Sequence, residues 1–126
     1  MGLTTKLAAI VLGIVFLVVG ALGYVPNPIV GETGIFVVNP MHNVVHLVSG
    51  AVLLIGAFMN LSGLVLKLLG LVYAAVAVLG FVMTGDTLLG LIQLNQADRL
   101  LHVALAAVLL LAGFALPGEA GQKSAA

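Results

Sequence analysis

Three histidines and one aspartate are the residues of this chain whose types and spacing suit chemistry. His42 and His46 are four positions apart, and Asp98 and His102 repeat that spacing. On a helix, residues four apart lie on the same face. Three imidazoles and a carboxylate suit tetrahedral zinc, or another divalent ion that favours nitrogen ligands. The sequence therefore offers His42, His46, Asp98 and His102 as one candidate metal site.

A haem is the second ligand that these histidines could hold. If the helices that carry His46 and His102 face each other diagonally in a bundle, the two imidazoles could bind one haem iron from both sides. Gly20 and Gly80 on the other two helices would make room for the ring. Zinc or another divalent metal is favoured over haem, because only Arg99 lies near that end to meet the propionates.

A purely structural interpretation of the same residues is favoured over both ligands. Asp98 falls at the third position of its helix, where free backbone N–H groups and the positive end of the helix dipole favour a carboxylate. His46 and His102 would then be neutral and hydrogen-bonded within the bundle. Ionisable groups near the end of a membrane span cost less than groups at its centre.

The elements that must position these residues are two similar segments, 39–46 and 95–102. Each begins with an asparagine, Asn39 or Asn95, and ends with a histidine, and the offset between them is 56 (95 − 39). Asparagine is among the best residues for capping the start of a helix, and Pro40 suits the first helical position. A long apolar run follows each segment. The pattern predicts a duplicated unit with Asn39 and Asn95 as helix caps.

Composition places the chain in a membrane. It has 126 residues, of which 63% are hydrophobic and 6% charged, with a mean hydropathy of +1.34. Soluble domains carry about 25% charged residues. Apolar runs near 20 residues cross a hydrocarbon layer of about 30 Å. Four Lys and Arg balance four Asp and Glu, and cysteine is absent, so we expect membrane lipid as a partner, no nucleic acid and no thiol chemistry.

The fold predicted from this pattern is an all-α, four-helix transmembrane bundle made of two parallel-repeat helical hairpins. We expect a single domain over residues 1–126, with repeats at 6–61 and 67–116 and a polar tail at 117–126. The first span also resembles a signal peptide, but the second repeat needs it as a counterpart: Lys67 restarts the pattern begun at Lys6, at an offset of 61 (67 − 6). The spans are predicted at about 7–25, 41–60, 68–84 and 97–116.

The connections and the charges predict an orientation. The loops at 24–38 and 85–94 are too apolar for free loops, so we expect them to lie along the interface or fold over the bundle mouth, the first with room for a short helix. Lys6, Lys67 and Lys123 fall on one side and Arg99 on the other. Positive residues favour the cytoplasmic side, which predicts both termini in the cytoplasm of a bacterial cell and the histidines at the outer face.

The two segments carry a resemblance to a known family. The run from Asn39 to Leu47 and the run from Asn95 to His102 resemble a family of small four-span bacterial membrane proteins known only as a domain of unknown function. The positions that match its typical motifs are His42, Asn43, His46, Asp98, Leu101 and His102. Arg99 departs from the family, which usually has an asparagine there. The resemblance implies the four-span fold. It assigns no activity, because the family has none attached to it, so the question of function stays open.

The function expected from the sequence is a non-enzymatic structural or accessory subunit. Small-residue faces and the scarcity of charge suit packing against other membrane helices or against a second copy of the chain. No nucleophile elbow or phosphate loop is present. A transporter would be expected to carry a charged residue at mid-membrane, and this sequence has none there. A metal-binding or haem-binding membrane protein that uses the histidines is the alternative.

Overall fold

The computed structural model describes residues 2–83 and 85–118, so the polar tail from residue 119 onward, Lys123 and Thr84 lie outside the described residues. Four helices account for most of the described chain. They are α1 (Thr5–Leu22), α2 (Pro40–Phe58), α3 (Ser62–Val82) and α4 (Gln96–Ala115), with four two-residue strands between them, β1 (Val30–Gly31), β2 (Phe36–Val37), β3 (Thr87–Leu88) and β4 (Ile92–Gln93). The predicted four-helix transmembrane fold is confirmed.

Each helix is long and apolar enough to cross a membrane. Large apolar side chains point outward along the helices, including Phe58, Val82 and Leu111, each more than 60% exposed. In water such a surface would drive aggregation, whereas lipid tails cover it without cost. The protein is therefore an integral membrane protein whose helices contact lipid.

The histidine-bearing helices begin at side-chain caps. The Asn39 carboxamide oxygen accepts the backbone N–H of His42 at 3.0 Å, and Pro40 occupies the first turn. At the start of α4 the Asn95 oxygen accepts the N–H of Asp98 at 3.1 Å, while the Asp98 carboxylate accepts the N–H of Asn95 at 2.8 Å. This reciprocal capping box satisfies two N–H groups that a helix start leaves free.

The helices pack as two hairpins, with α1 mainly along α2 and α3 mainly along α4. Glycines allow the close approach within each. A Cβ added at Gly13 would lie 2.9 Å from Leu54, and one at Gly70 would lie 2.8 Å from Leu110. These matching contacts are offset by 57 (70 − 13) and 56 (110 − 54). By these contacts, a position in α1 corresponds to the position 57 residues later in α3, whereas Lys6 and Lys67 suggested an offset of 61.

The third helix starts earlier than the sequence predicted. It begins at Ser62, six residues before the predicted start at 68, because the turn is made by Asn60 with φ of 58°. Lys67 is thus inside α3, with its Nζ 4.8 Å from the centre of the Phe114 ring. Nearby, the N–H of Thr5 donates to the carbonyl of Pro117 at 3.0 Å, so the start of α1 and the end of α4 meet at one end of the bundle.

The two loops cover the opposite end. The first forms a parallel pair, β1 with β2, instead of a short helix, and the second forms an antiparallel pair, β3 with β4. The capping asparagines tie each loop to the other hairpin: Asn39 donates to the carbonyl of Leu91 and Asn95 to the carbonyl of Ile35, both at 2.9 Å. The loops therefore fold over the bundle mouth above the histidines.

Candidate metal centre

Three histidines meet beneath the loops. The ring centres of His42 and His46 are 4.5 Å apart, those of His42 and His102 are 5.6 Å apart, and those of His46 and His102 are 6.4 Å apart. One ring nitrogen from each lies within 4.8 Å of the other two. All three side chains are at most 3% exposed. The structure therefore brings together His42, His46 and His102, three of the four residues that the sequence offered as one site.

The second hairpin also fixes the orientation of one ring. The Nδ1 of His42 lies 2.6 Å from the carbonyl oxygen of Gln93. A carbonyl can only accept, so Nδ1 carries the proton and donates it. The Nε2 atom is then left with its lone pair, which is the form in which a histidine binds a metal. Gln93 was not predicted, since a backbone carbonyl in a loop leaves no signal in the sequence.

The other two rings carry nitrogens without hydrogen bonds. Three buried ring nitrogens have no hydrogen-bond partner among the described residues. They are both nitrogens of His46 and the Nδ1 of His102. Leaving a buried polar group unpaired costs about 1–3 kcal/mol. Most buried polar side-chain atoms in folded proteins are paired, so unpaired ones at one point indicate a missing ligand or water.

Asp98 is not part of this group. Its carboxylate is engaged in the capping box at the start of α4, and within residues 2–83 and 85–118 the converging ligand atoms are those of the three histidines. The predicted four-residue metal site thus becomes a three-histidine group. The reason is the position of Asp98 in its helix, where it lies next to free N–H groups that attract the carboxylate.

A small cavity borders the rings. It has a volume of about 50 Å³ and is lined by the three histidines together with Ser49 and Tyr73, among others. One water molecule occupies about 30 Å³ in the liquid, so the space suits an ion with one or two small ligands. A haem does not fit, because His42 lies against both rings that would bind the iron and the macrocycle has no room.

Two aromatic residues enclose the site from α1 and α3. The Phe16 ring centre is 6.0 Å from that of His46, and the Tyr73 ring centre is 5.9 Å from that of His102. The Tyr73 hydroxyl is 2.9 Å from the hydroxyl of Ser49 and so has a hydrogen-bond partner within the bundle. Phe16 was not predicted near the histidines, although its spacing of 57 from Tyr73 could have pointed to it.

A known family matches most of the chain. The model of the family described as "Domain of unknown function (DUF4383)" matches residues 6–115. The chain belongs to this family. The resemblance to a family of unknown function is thereby confirmed, and the match spans all four helices. Neither a curated protein nor a solved structure matches the chain.

Proposed function

We propose that this DUF4383 protein binds one divalent transition-metal ion through His42, His46 and His102. The observation that carries the proposal is the meeting of three buried imidazoles, of which both nitrogens of His46 and the Nδ1 of His102 lack a hydrogen-bond partner among the described residues. A bound ion would satisfy the inward-facing nitrogens together.

The geometry needs a modest closure around the ion. Zinc binds histidine nitrogen at about 2.0 Å, so the ligand nitrogens of a tetrahedral site lie about 3.3 Å apart. The three nitrogens now lie within 4.8 Å of one another. Binding would therefore draw the farthest pair of nitrogens together by up to about 1.5 Å.

The ligand type selects the class of metal. Imidazole suits zinc, copper, nickel and cobalt, whereas magnesium and calcium prefer oxygen ligands. Three protein ligands leave one position of a tetrahedral ion open, and the cavity beside Tyr73 would admit a water molecule there. The hydroxyls of Ser49 and Tyr73 are hydrogen-bonded to each other. The described residues that line the cavity include no carboxylate that could act as a base. We therefore propose metal binding without catalysis.

Elemental analysis of the purified protein tests this proposal. Wild-type protein in mild detergent should bind one zinc, copper, nickel or cobalt ion per chain after exposure to the metal and removal of the excess. The His46→Gln/His102→Gln double variant should fall to the background level. Asp98→Asn is the matched control and should keep the ion, because Asp98 lies outside the group. A wild-type protein that retains no metal, with a folded double variant of equal stability, would contradict the proposal.

A second candidate function is the accessory role expected from the sequence. It is favoured by an apolar groove between α1 and α4, with a volume of about 460 Å³, lined by Leu7, Val11, Val108 and Leu111 among others. These two helices contact each other little, so the groove presents an apolar face against which a helix of a neighbouring membrane subunit could pack.

Photo-crosslinking in native membranes tests the accessory role. The chain has no cysteine, so Val11→Cys can carry a benzophenone label at the groove and Val78→Cys, on an exposed part of α3, is the control. The accessory role gives one defined protein adduct from Val11→Cys and none from Val78→Cys. Lipid adducts alone from both positions would reject it, and an adduct of twice the mass of the chain would identify a second copy as the neighbour.

We further propose that the protein lies in the bacterial cytoplasmic membrane with both termini in the cytoplasm. Lys6 and Lys67 lie at the end of the bundle where Thr5 meets Pro117, and Arg99 lies at the histidine end. The excess of positive charge at the first end supports this orientation.

A further inference from the structure

A second pocket lies at the histidine end of the bundle, apart from the metal centre. It has a volume of about 420 Å³ and is enclosed by the end of α1, the first loop and the start of α2. This volume is in the range of pockets that bind small molecules, about 300–1,000 Å³. Polar groups make up much of its wall, notably those of Tyr24, Asn27, Glu32, Asn39 and Asn43.

The inner wall of this pocket contains an unsatisfied amide. Asn43 is 1% exposed, and its Oδ1 has no hydrogen-bond partner in the part of the chain that the structure describes. The side chain fits there only because residue 23 is glycine, since a Cβ at Gly23 would overlap the amide. Rotation about the last side-chain bond can present the amide oxygen to the pocket, because the two ends of an amide have nearly the same shape.

The corresponding position in the second hairpin shows what is missing. Arg99 follows Asn43 by 56, and Gly80 follows Gly23 by 57, the offsets that the packing contacts give. The Arg99 guanidinium donates from Nε to the carbonyl of Gly80 and from Nη2 to the carbonyl of Gly85, both at 2.6 Å. A cation of the chain itself therefore occupies the C-terminal end of α3. At the end of α1 the Asn27 amide donates to the Leu22 carbonyl at 2.9 Å, and the shorter Asn43 leaves the pocket beside it.

The charges around the pocket favour a cation. The C-terminal end of a helix carries partial negative charge, and α1 has no basic residue in its last turn. Glu32 adds a carboxylate at the rim. The Asn43 oxygen and the Glu32 carboxylate are acceptors, so the best partner is a positively charged group with several N–H donors.

We propose that this pocket binds a primary ammonium or guanidinium group from outside the chain, in the place that Arg99 fills in the second hairpin. Its position at the mouth of a membrane bundle gives two sources for such a group, the head group of an amine-bearing phospholipid or a free small amine. The site shares no ligand residue with the three histidines, so its test is independent of the metal proposal.

Native mass spectrometry of detergent-solubilised protein provides the test. Phosphatidylethanolamine should bind, while phosphatidylcholine, whose head group has no N–H donor, should bind about tenfold more weakly. Ethanolamine measured by calorimetry separates the sources: binding of the free amine with the same response to substitution assigns the site to soluble amines. Binding of neither amine, or equal binding of both lipids, would overturn the proposal.

Substitutions connect the binding to the pocket. Asn43→Arg should abolish binding, because the new side chain supplies the guanidinium that Arg99 supplies in the second hairpin. Glu32→Gln should weaken binding several-fold, and Asp86→Asn, which removes an exposed carboxylate of the second loop, should leave it unchanged. If Asn43→Arg does not fold, the comparison of Glu32→Gln with Asp86→Asn decides: equal affinity of these two variants would overturn the proposal.

Discussion

His46 is a buried imidazole about 6 Å from the phenyl ring of Phe16 and close to two other imidazoles, and neither of its ring nitrogens has a hydrogen-bond partner in the described part of the chain. Such a residue lowers the stability of the fold unless something binds to it. His42 differs, because its Nδ1–H donates a hydrogen bond to the Gln93 carbonyl, which leaves the lone pair of the other nitrogen free to bind an ion. The three rings thus form a site that the second hairpin orients and that an ion would complete.

A substitution of Asp98 distinguishes the capping of α4 from the binding of an ion. We expect Asp98→Ala to lower the free energy of unfolding by about 1–2 kcal/mol, since it removes one half of the capping box of α4. The metal content should stay at that of the wild type. Denaturant unfolding in detergent, followed by circular dichroism, measures the first quantity, and elemental analysis measures the second.

The control for this variant is Asp86→Ala, which removes an exposed loop carboxylate and should change the stability little. Loss of the metal in Asp98→Ala, with the fold intact, would show that the carboxylate is a ligand after all.

At this scale the sequence predicts the residues better than their roles. The four-residue spacing brought His42, His46 and His102 into one hypothesis because helical geometry follows directly from spacing. It could not separate Asp98 from them, since a carboxylate at the third position of a helix is both a good cap and a possible ligand. The Gln93 carbonyl and the Phe16 ring depend on loop and helix packing, which spacing does not specify.

At the scale of elements, close helix contacts at glycine hold each hairpin together. A Cβ at Gly50 would lie 2.7 Å from the backbone carbonyl oxygen of Gly13. We expect Gly50→Ala to lower the free energy of unfolding by about 1–3 kcal/mol, because α1 and α2 must separate to admit the methyl group. Thermal unfolding in detergent measures the change.

Gly63→Ala is the matched control. Gly63 also lies in a helix, but its added Cβ would come no closer than 3.9 Å to Thr5. Alanine is the better helix former by about 1 kcal/mol, so this variant should be neutral or more stable than the wild type. Equal effects of the two substitutions would contradict the packing described for the first hairpin.

The elements themselves could be predicted where they are long. Four apolar runs near 20 residues predicted four helices, and the asparagine caps predicted the starts of α2 and α4 closely. The β1–β2 and β3–β4 pairs could not be predicted, because strands of two residues show no alternation. The start of α3 was predicted too late because residues 60–63 have the composition of a turn. In the structure only Asn60 of this segment has a positive φ, and the helix begins two residues later.

At the scale of the whole molecule, the two ends of the bundle differ in charge and in chemistry. The histidines, the loops and Arg99 lie at one end, and Lys6 and Lys67 lie at the other. We expect Glu32→Cys to react with a membrane-impermeant maleimide in intact cells, and Gly2→Cys to react only after the membrane is permeabilised. The opposite labelling would place the histidines in the cytoplasm, and labelling of both in intact cells would place the two ends on one side.

X-ray absorption spectroscopy of the zinc-loaded protein counts the ligands of the ion and identifies their type. We expect three imidazole nitrogens at about 2.0 Å and one additional light atom from water. His46→Gln/His102→Gln, treated in the same way, should give no zinc signal above background. Zinc bound mainly by oxygen ligands in the wild type, or no specifically bound zinc at all, would contradict the claim that these three histidines hold an ion.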